Sequence, residues 1–550
     1  LQLDSGEYRL AYTGVVSGNS DVVRAFVDAH TGAELMRYTE IQRQVVGSGQ
    51  PAVGSGTGVL GDRKKLSVEA VGGAYVAFDR HRPPVIETFD LRGNLARTKL
   101  LLNGQLAFSA SDLASDSDNV WTDVSVVDAH AHVSWTYDYY FKRFARSGLD
   151  GRNGPINILV NAVSQQGALS LVGDDINYAV NAAYCGTCGP NRQGIMFFGN
   201  GIPPGFVLSD GRNYTYLSGG LDVAAHELTH AVTDATSRLI YRNESGALNE
   251  AFSDMMGESV EFYYQQQRSA VSQADYVTGK DVTRGVRPGV LSGLRSMASP
   301  LLFGQPDHYS RFVRLPDTPA GDNGGVHVNS GIPNHAFYLA IEGGTNRTSG
   351  LTVQGVGATN REQIEKVFYR AFTALLPSNA TFVTARAATI QAARDLYGAG
   401  GAVERAVSQA WTAVGVSEAV SLGTLSGVIA PGALSTATIT MNANGVYGAA
   451  LSWASPATTD LDLYLTRVGC PVTQASCILT RSISPAGLES IAWPVRAGEQ
   501  YWLTVHNFDG LSTAFTIQHS IQSVNGATSQ TAIGVDTLFV SRASDGMVSK

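Results

Sequence analysis

At 550 residues the chain is too long for one ordinary domain, and roughly two to four are expected. Hydrophobic residues at 44% supply real cores and exclude a disordered protein; charged residues reach only 16%, with Gly, Ser and Thr filling the deficit. A net charge of −8, no lysine or arginine run and no apolar stretch long enough to cross a bilayer leave neither nucleic acid nor membrane as an expected partner.

Residues 1–44 alternate apolar and polar positions and turn at Thr31-Gly32, which predicts a small strand-rich unit with a hairpin. The chain starts at Leu1 without Met and shows no signal peptide, the pattern of an N-terminally trimmed precursor. A Gly/Ser stretch at 47–58 (GSGQPAVGSGTG) reads as a linker or processing region, taken as 45–58. From 59 to 220 short strands and turns dominate, around a predicted helix at 126–146. From 221 to 416 helical periodicity takes over, at 221–236, 249–267, 330–343, 360–376, 379–397 and 402–414. The pattern is multidomain α+β: a β-rich lobe followed by an α-helical lobe. After a linker at 417–424, residues 425–523 carry short alternating strands such as LDLYL at 461–465, which predict a β-sandwich. The tail, 524–550, is polar with one apolar patch and gives no assignment.

Four cysteines fall in two close pairs, Cys185/Cys188 and Cys470/Cys477. Such spacing favours local disulfides in an oxidising compartment, since a zinc ribbon would need a second CxxC.

The chemistry centres on His226-Glu227-Leu228-Thr229-His230. On a helix, histidines four apart lie about 40° apart around the axis, so both imidazoles reach one tetrahedral zinc. Glu227 then sits beside a water whose proton it can take. Two solvated histidines on an exposed helix would give the same five letters, so the next helix matters. There Glu250, Asp254, Glu258 and Glu261 share one narrow face with no Lys or Arg among them. Cations on that face explain the pattern: Glu250 as third zinc ligand, and Ca²⁺ on Glu258, Glu261 and Asp222, which lies one turn before His226.

The stretch SGGLDVAAHELTHAVTDATSRLIYRNESGALNEAFSDMMGESVEFYY, with LRSMASP, DHYS and DNGGVHVNSGIPNHAFYLA after it, resembles the thermolysin family of secreted bacterial zinc metalloproteases. The resemblance covers residues 46–416 and implies a two-lobe, monomeric catalytic domain acting outside the cell. Its implied reaction is hydrolysis of peptide bonds on the amino side of hydrophobic residues. Position by position it implies zinc on His226, His230 and Glu250, and Glu227 activating the water. Asn249 and Asp254 would hold the two histidines, and Asp322 would orient His327. Tyr241 and His327 would bind the tetrahedral oxyanion. Asn181 and the Ala182 backbone would hold an extended substrate, Arg295 a substrate carbonyl, and Leu294 with Val223 a hydrophobic pocket.

Two departures stand out. Members with two calcium ions place several acids after the second helix; here that stretch is DYVTGKD at 275–281, with Lys280 where a carboxylate would serve the second ion. One calcium is therefore expected, on Asp222, Glu258, Glu261, Asp275 and the Val277 carbonyl. The CGTC loop, just after Asn181-Ala-Ala-Tyr184, would stiffen the substrate edge if disulfide-bonded.

Residues 1–44 resemble the end of a PepSY-like propeptide, which assists folding and inhibits until removed; self-cleavage is expected within 44–54. Residues 425–523 resemble a pre-peptidase C-terminal domain, with Cys470–Cys477 closing a short loop inside it. Two rival readings stay open. A zinc hydrolase of non-peptide substrates is opposed by Asn181, Ala182 and Arg295. A binding protein with a vestigial protease domain is opposed by a complete set of expected catalytic positions.

Overall fold

A computed structural model describes residues 11–17, 22–39, 49–189, 194–265, 273–416, 419–443, 445–453, 459–483 and 489–523. The 524–550 tail and residues 40–48, where part of the expected cleavage region falls, lie outside them. Strands Ala11–Ser17, Val22–Asp28 and Glu34–Thr39 form a three-stranded antiparallel sheet. The Asp28 carboxylate closes its predicted turn, accepting from the amides of His30 and Thr31 at 2.8 Å each.

The Gly/Ser stretch is where the structure departs from expectation. Gln50–Thr57 is a strand, paired antiparallel with Arg63–Val71 from Gln50↔Ala70 to Thr57↔Arg63, and parallel with Val120–Trp121 on its other side. Its glycines serve close packing rather than flexibility. A Cβ on Gly54 would collide with Asn119 and Trp121, one on Gly56 with Val127, and one on Gly58 with the Lys64–Asp128 pair. That pair is fully buried, Nζ to Oδ1 2.7 Å, and Asp128 Oδ2 also accepts from the Val59 amide at 2.8 Å.

A second five-stranded sheet carries the site. Its order is Ala182–Cys185, Ile195–Phe198, Ile156–Val160, Ile86–Asp90, Phe78–Asp79, with the middle three parallel and Ala182–Cys185 an antiparallel edge. Buried on both faces, the middle strands read as apolar runs (INILV, IMFF) instead of alternating. One face packs Ile86, Ile156, Ile158 and Val160 into the main core; the other packs Phe89, Leu159 and Phe197 into a smaller one. The predicted helix spans Val124–Phe144, started by Asp123, whose carboxylate accepts from the Ser125 and Val126 amides, and stopped by Ala145 in the left-handed region.

The helical lobe holds Leu221–Asp234, Asn243–Tyr264, Gly331–Glu342, Arg361–Arg370, Phe382–Tyr397 and Ala402–Ala413 around buried Phe252, Phe337, Phe368, Phe372 and Trp411. The sandwich follows as two four-stranded antiparallel sheets with their own core of Tyr447, Leu451, Leu461, Leu463, Leu465, Ile517 and Ile521. Its first strand, Ala419–Ile429, starts inside the stretch read as a linker. The sandwich meets the helical lobe where the Arg314 guanidinium lies 5.7 Å over the Trp493 ring and Ser490 Oγ donates to the Asn379 carbonyl at 3.2 Å.

Candidate active site

Two helices build the site. The motif helix, Leu221–Asp234, crosses the acidic helix, Asn243–Tyr264, at Gly257, where a Cβ would sit 2.7 Å from the Asp222 carbonyl oxygen. That close crossing puts His226 and His230 over Glu250: Nε2 to Nε2 is 3.1 Å, and each Nε2 is 3.5 Å from a Glu250 oxygen. The three donor atoms lie within 4.8 Å of one another, and no other group of His, Cys, Asp or Glu closes so tightly among the described residues.

Each imidazole is held from behind. His226 Nδ1 lies 2.8 Å from Asp254 Oδ1, and His230 Nδ1 lies 2.8 Å from Asn249 Oδ1 and 3.2 Å from Ser253 Oγ. With Nδ1–H facing these oxygens, both Nε2 atoms are left as lone-pair acceptors 3.1 Å apart. Glu250 Oε2 is also buried without a hydrogen-bond donor. Three acceptors facing one another repel unless a cation lies between them, so this donor set fits zinc.

Asp254 is tied further, to the buried Arg295 at 2.8 and 2.6 Å and to Asn334 Nδ2 at 2.8 Å. The cation expected on this part of the acidic face is therefore an arginine from a distant segment. Burial opposes the charge on Asp254, but Arg295 and then His226 outweigh it and hold its carboxyl well below the usual range. Burial likewise opposes the charge on Glu250, but positive charge facing it, first that of His327, holds its carboxyl below the usual carboxylate range.

On the open side, Tyr241 OH donates to Glu250 Oε1 and stands 3.2 Å from His327 Nε2. His327 is presented by a strained loop: Asp322, Asn323, Gly324 and Gly325 all have φ between 47° and 86°. A side chain on Gly324 would also strike Asn243. From this loop Asp322 accepts from the His327 ring at 2.5 Å and from its amide at 2.9 Å. Burial disfavours charge on His327, but Glu250 and then Asp322 outweigh it and push the imidazole up to about 9.

Glu227 points to the edge strand, where its Oε2 accepts from the Tyr184 amide at 2.9 Å. Asn181, exposed, and Ala182 open that strand, and Val223 lies one turn before Glu227 on the same helix face. Leu294 packs against Gly279, and Arg295 follows it on a short strand. Farther along the two helices, Asp222, Glu258 and Glu261 are buried together beside Asp275. Asp222 accepts from the Gly279 amide at 2.5 Å, Glu258 from Thr278 Oγ1 at 3.0 Å, and Asp275 from the Val277 amide at 2.8 Å. Lys280 is paired with Asp275. Burial first, then Asp222, Glu261 and Asp275, pushes Glu258 well above the usual carboxylate range.

Three contributors were not singled out in the sequence: the Tyr184 amide, Ser253 and Asn334. A backbone amide carries no residue identity, and Ser253 and Asn334 act through partners that only the fold brings near. Both cysteine pairs are disulfides, Cys185–Cys188 and Cys470–Cys477.

The fold and site together define a two-lobe α+β protein built around a His–His–Glu metal centre at the crossing of two helices. Family models described as the thermolysin metallopeptidase catalytic domain and its alpha-helical domain match residues 53–234 and 237–416. The chain belongs to the thermolysin metallopeptidase family. It is 40% identical over 373 residues to a bacillolysin of Bacillus cereus, covering 67% of this chain and 56% of that protein. It is 39% identical over 401 residues to a thermostable neutral protease of Geobacillus stearothermophilus, covering 71% and 63%. Among solved structures, the precursor of protealysin from Serratia proteamaculans overlaps with a TM-score of 0.44 at 25% identity, over 60% of this chain and 87% of that one. The chain thus spans about three fifths of the length of its curated relatives.

Proposed function

We propose that this chain is a secreted zinc endopeptidase that cuts on the amino side of hydrophobic residues and is made as a precursor processed by self-cleavage. The observation that carries the reading is the convergence of His226, His230 and Glu250, three donors within 4.8 Å, with Glu227 alongside. A zinc ion bound there supplies Lewis-acid polarisation of the scissile carbonyl and acidifies the attacking water.

The rest falls to the chain. Glu227, steered by the Tyr184 amide, takes the water's proton and passes it to the leaving nitrogen. Tyr241 OH and protonated His327 Nε2, 3.2 Å apart, donate to the oxyanion as charge develops on it. Asp322, which accepts from the His327 ring at 2.5 Å, favours that charged imidazole. Asn181 and the Ala182 backbone take the substrate as an added strand, Arg295 holds its carbonyl, and Val223 with Leu294 bounds the hydrophobic pocket. One Ca²⁺ neutralises Asp222, Glu258, Glu261 and Asp275, with the Val277 carbonyl as a further oxygen and Lys280 standing against a second ion. The 1–44 unit serves as propeptide, and the sandwich as a pre-peptidase C-terminal domain.

Casein hydrolysis by wild type and Glu227→Ala, with and without a zinc chelator, tests this. Loss of activity in both arms is expected; activity that survives Glu227→Ala overturns the mechanism.

A further inference from the structure

The edge strand Ala182–Cys185 is fastened to the motif helix through one residue. The Tyr184 amide donates to Glu227 Oε2 at 2.9 Å. The Tyr184 ring lies near Asp234, two turns farther along the same helix, as shown by Gly186: a Cβ there would sit 2.8 Å from Asp234 Oδ2 and 3.3 Å from the Tyr184 ring. Gly194, across the strand pair, approaches the same ring, since its Cβ would lie 2.9 Å from Tyr184 OH. The two glycines thus make a slot for Tyr184.

The chain leaves that slot straight into a covalent clamp. Cys185 makes the last strand pair, with Ile195, and is disulfide-bonded to Cys188, whose amide turns back to the Cys185 carbonyl at 3.3 Å. Cys188 packs on the smaller core, and the next amide, Gly189, donates to Leu102 at 3.3 Å. The bridge therefore ties the end of the edge strand to the body of the β-rich lobe. A loop closed at a separation of three removes less unfolded-chain entropy than a long one, so its position matters more than its contribution to global stability.

We propose that the Cys185–Cys188 disulfide is a positioning element for catalysis: it holds Tyr184, and through its amide the Glu227 carboxylate, so that it sets turnover more than substrate affinity. This rests on the reading of Glu227 as general base. Freed from the bridge, the strand end at Cys185 and Gly186 can move off the motif helix and carry Tyr184 with it. The amide then no longer steers the carboxylate, and a misplacement of about 1 Å at a catalytic group is worth up to about a hundredfold in rate.

The test compares the full chain with Cys185→Ser/Cys188→Ser, and with Cys470→Ser/Cys477→Ser as control. Hydrogen exchange at the Tyr184 amide is read in zinc-chelated protein, which needs no activity; kcat and KM are read on a peptide in zinc-loaded protein. The first variant is expected to exchange Tyr184 at least about tenfold faster and to lose about tenfold in kcat, with KM changed by less than about threefold and zinc content unaltered. The control should match wild type in both readouts. Should the serine variant not fold, reducing the folded wild type with a phosphine must produce the same losses, and reoxidation must restore them. Unchanged Tyr184 exchange together with unchanged kcat overturns the clamp. A wild type that cuts no peptide overturns the proposed function instead, and the exchange comparison then still decides whether the disulfide holds Tyr184.

Discussion

Glu87 offers a quantitative check on the sheet that carries the edge strand. It sits on Ile86–Asp90, opposite Asn157 and Phe78, only 6% exposed, and its Oε1 has no hydrogen-bond donor. Burial pushes its carboxyl from an ordinary 4.5 up to about 7. The folded form therefore holds a proton that the unfolded form releases between those values, and stability falls as pH rises through that window. At about 1.36 kcal/mol per pH unit the full penalty is about 3 kcal/mol above pH 7 and vanishes below pH 4.5. Glu87→Gln removes the titration. Its stability relative to wild type should improve by about 2 to 3 kcal/mol between pH 5 and pH 8, whatever constant offset the amide introduces. Urea unfolding in a Glu227→Gln background, which removes the proposed general base and with it any self-digestion, measures this at fixed calcium. A difference between the two proteins that is the same at both pH values would refute the reasoning.

Three further outcomes are expected. Asp254→Asn leaves buried Arg295 without its counter-charge and weakens the hold on His226; zinc affinity by competitive chelation should fall about 10- to 100-fold, with about 3 kcal/mol or more of stability lost. Lys64→Met strands the Asp128 carboxylate against Gly58 and should cost about 3 to 5 kcal/mol in urea unfolding, whereas the joint replacement Lys64→Met/Asp128→Leu should recover much of it. Calorimetric titration of chelator-treated protein should find one tight calcium site, and Glu258→Gln should abolish it; two tight sites would contradict the part given to Lys280.

The metal centre was legible because its information is periodic. Spacing of four on one helix, and acids at 250, 254, 258 and 261 on the next, translate directly into faces. What periodicity cannot carry is which partner arrives from elsewhere. Arg295 answers Asp254 across 41 positions, and nothing local marks it as the acid's counter-ion. The acidic helix also begins at Asn243, ahead of its expected start at 249, and runs through Gly246 despite the low helix propensity of glycine. In the fold that glycine makes room for Val326, beside His327. Glycine did mislead at 47–58: composition alone does not separate freedom from crowding, and the side chains that crowd Gly54 and Gly56 lie about 65 to 70 residues away in sequence.

That glycine strand limits how the proposed precursor could be cut. A protease reads its substrate as a lone extended chain with an unsatisfied backbone. Gln50–Thr57 is paired along its whole length with Arg63–Val71, and at Ser55–Gly56 also with Val120–Trp121, so cutting within it would first require the sheet to open. The expected self-cleavage window of 44–54 then contracts to the residues ahead of Gln50. A mature form beginning there keeps the strand whole, with Gly54, Gly56 and Gly58 still seating Trp121, Val127 and the Lys64–Asp128 pair. The new N-terminus would come to lie at the rim of a finished sheet.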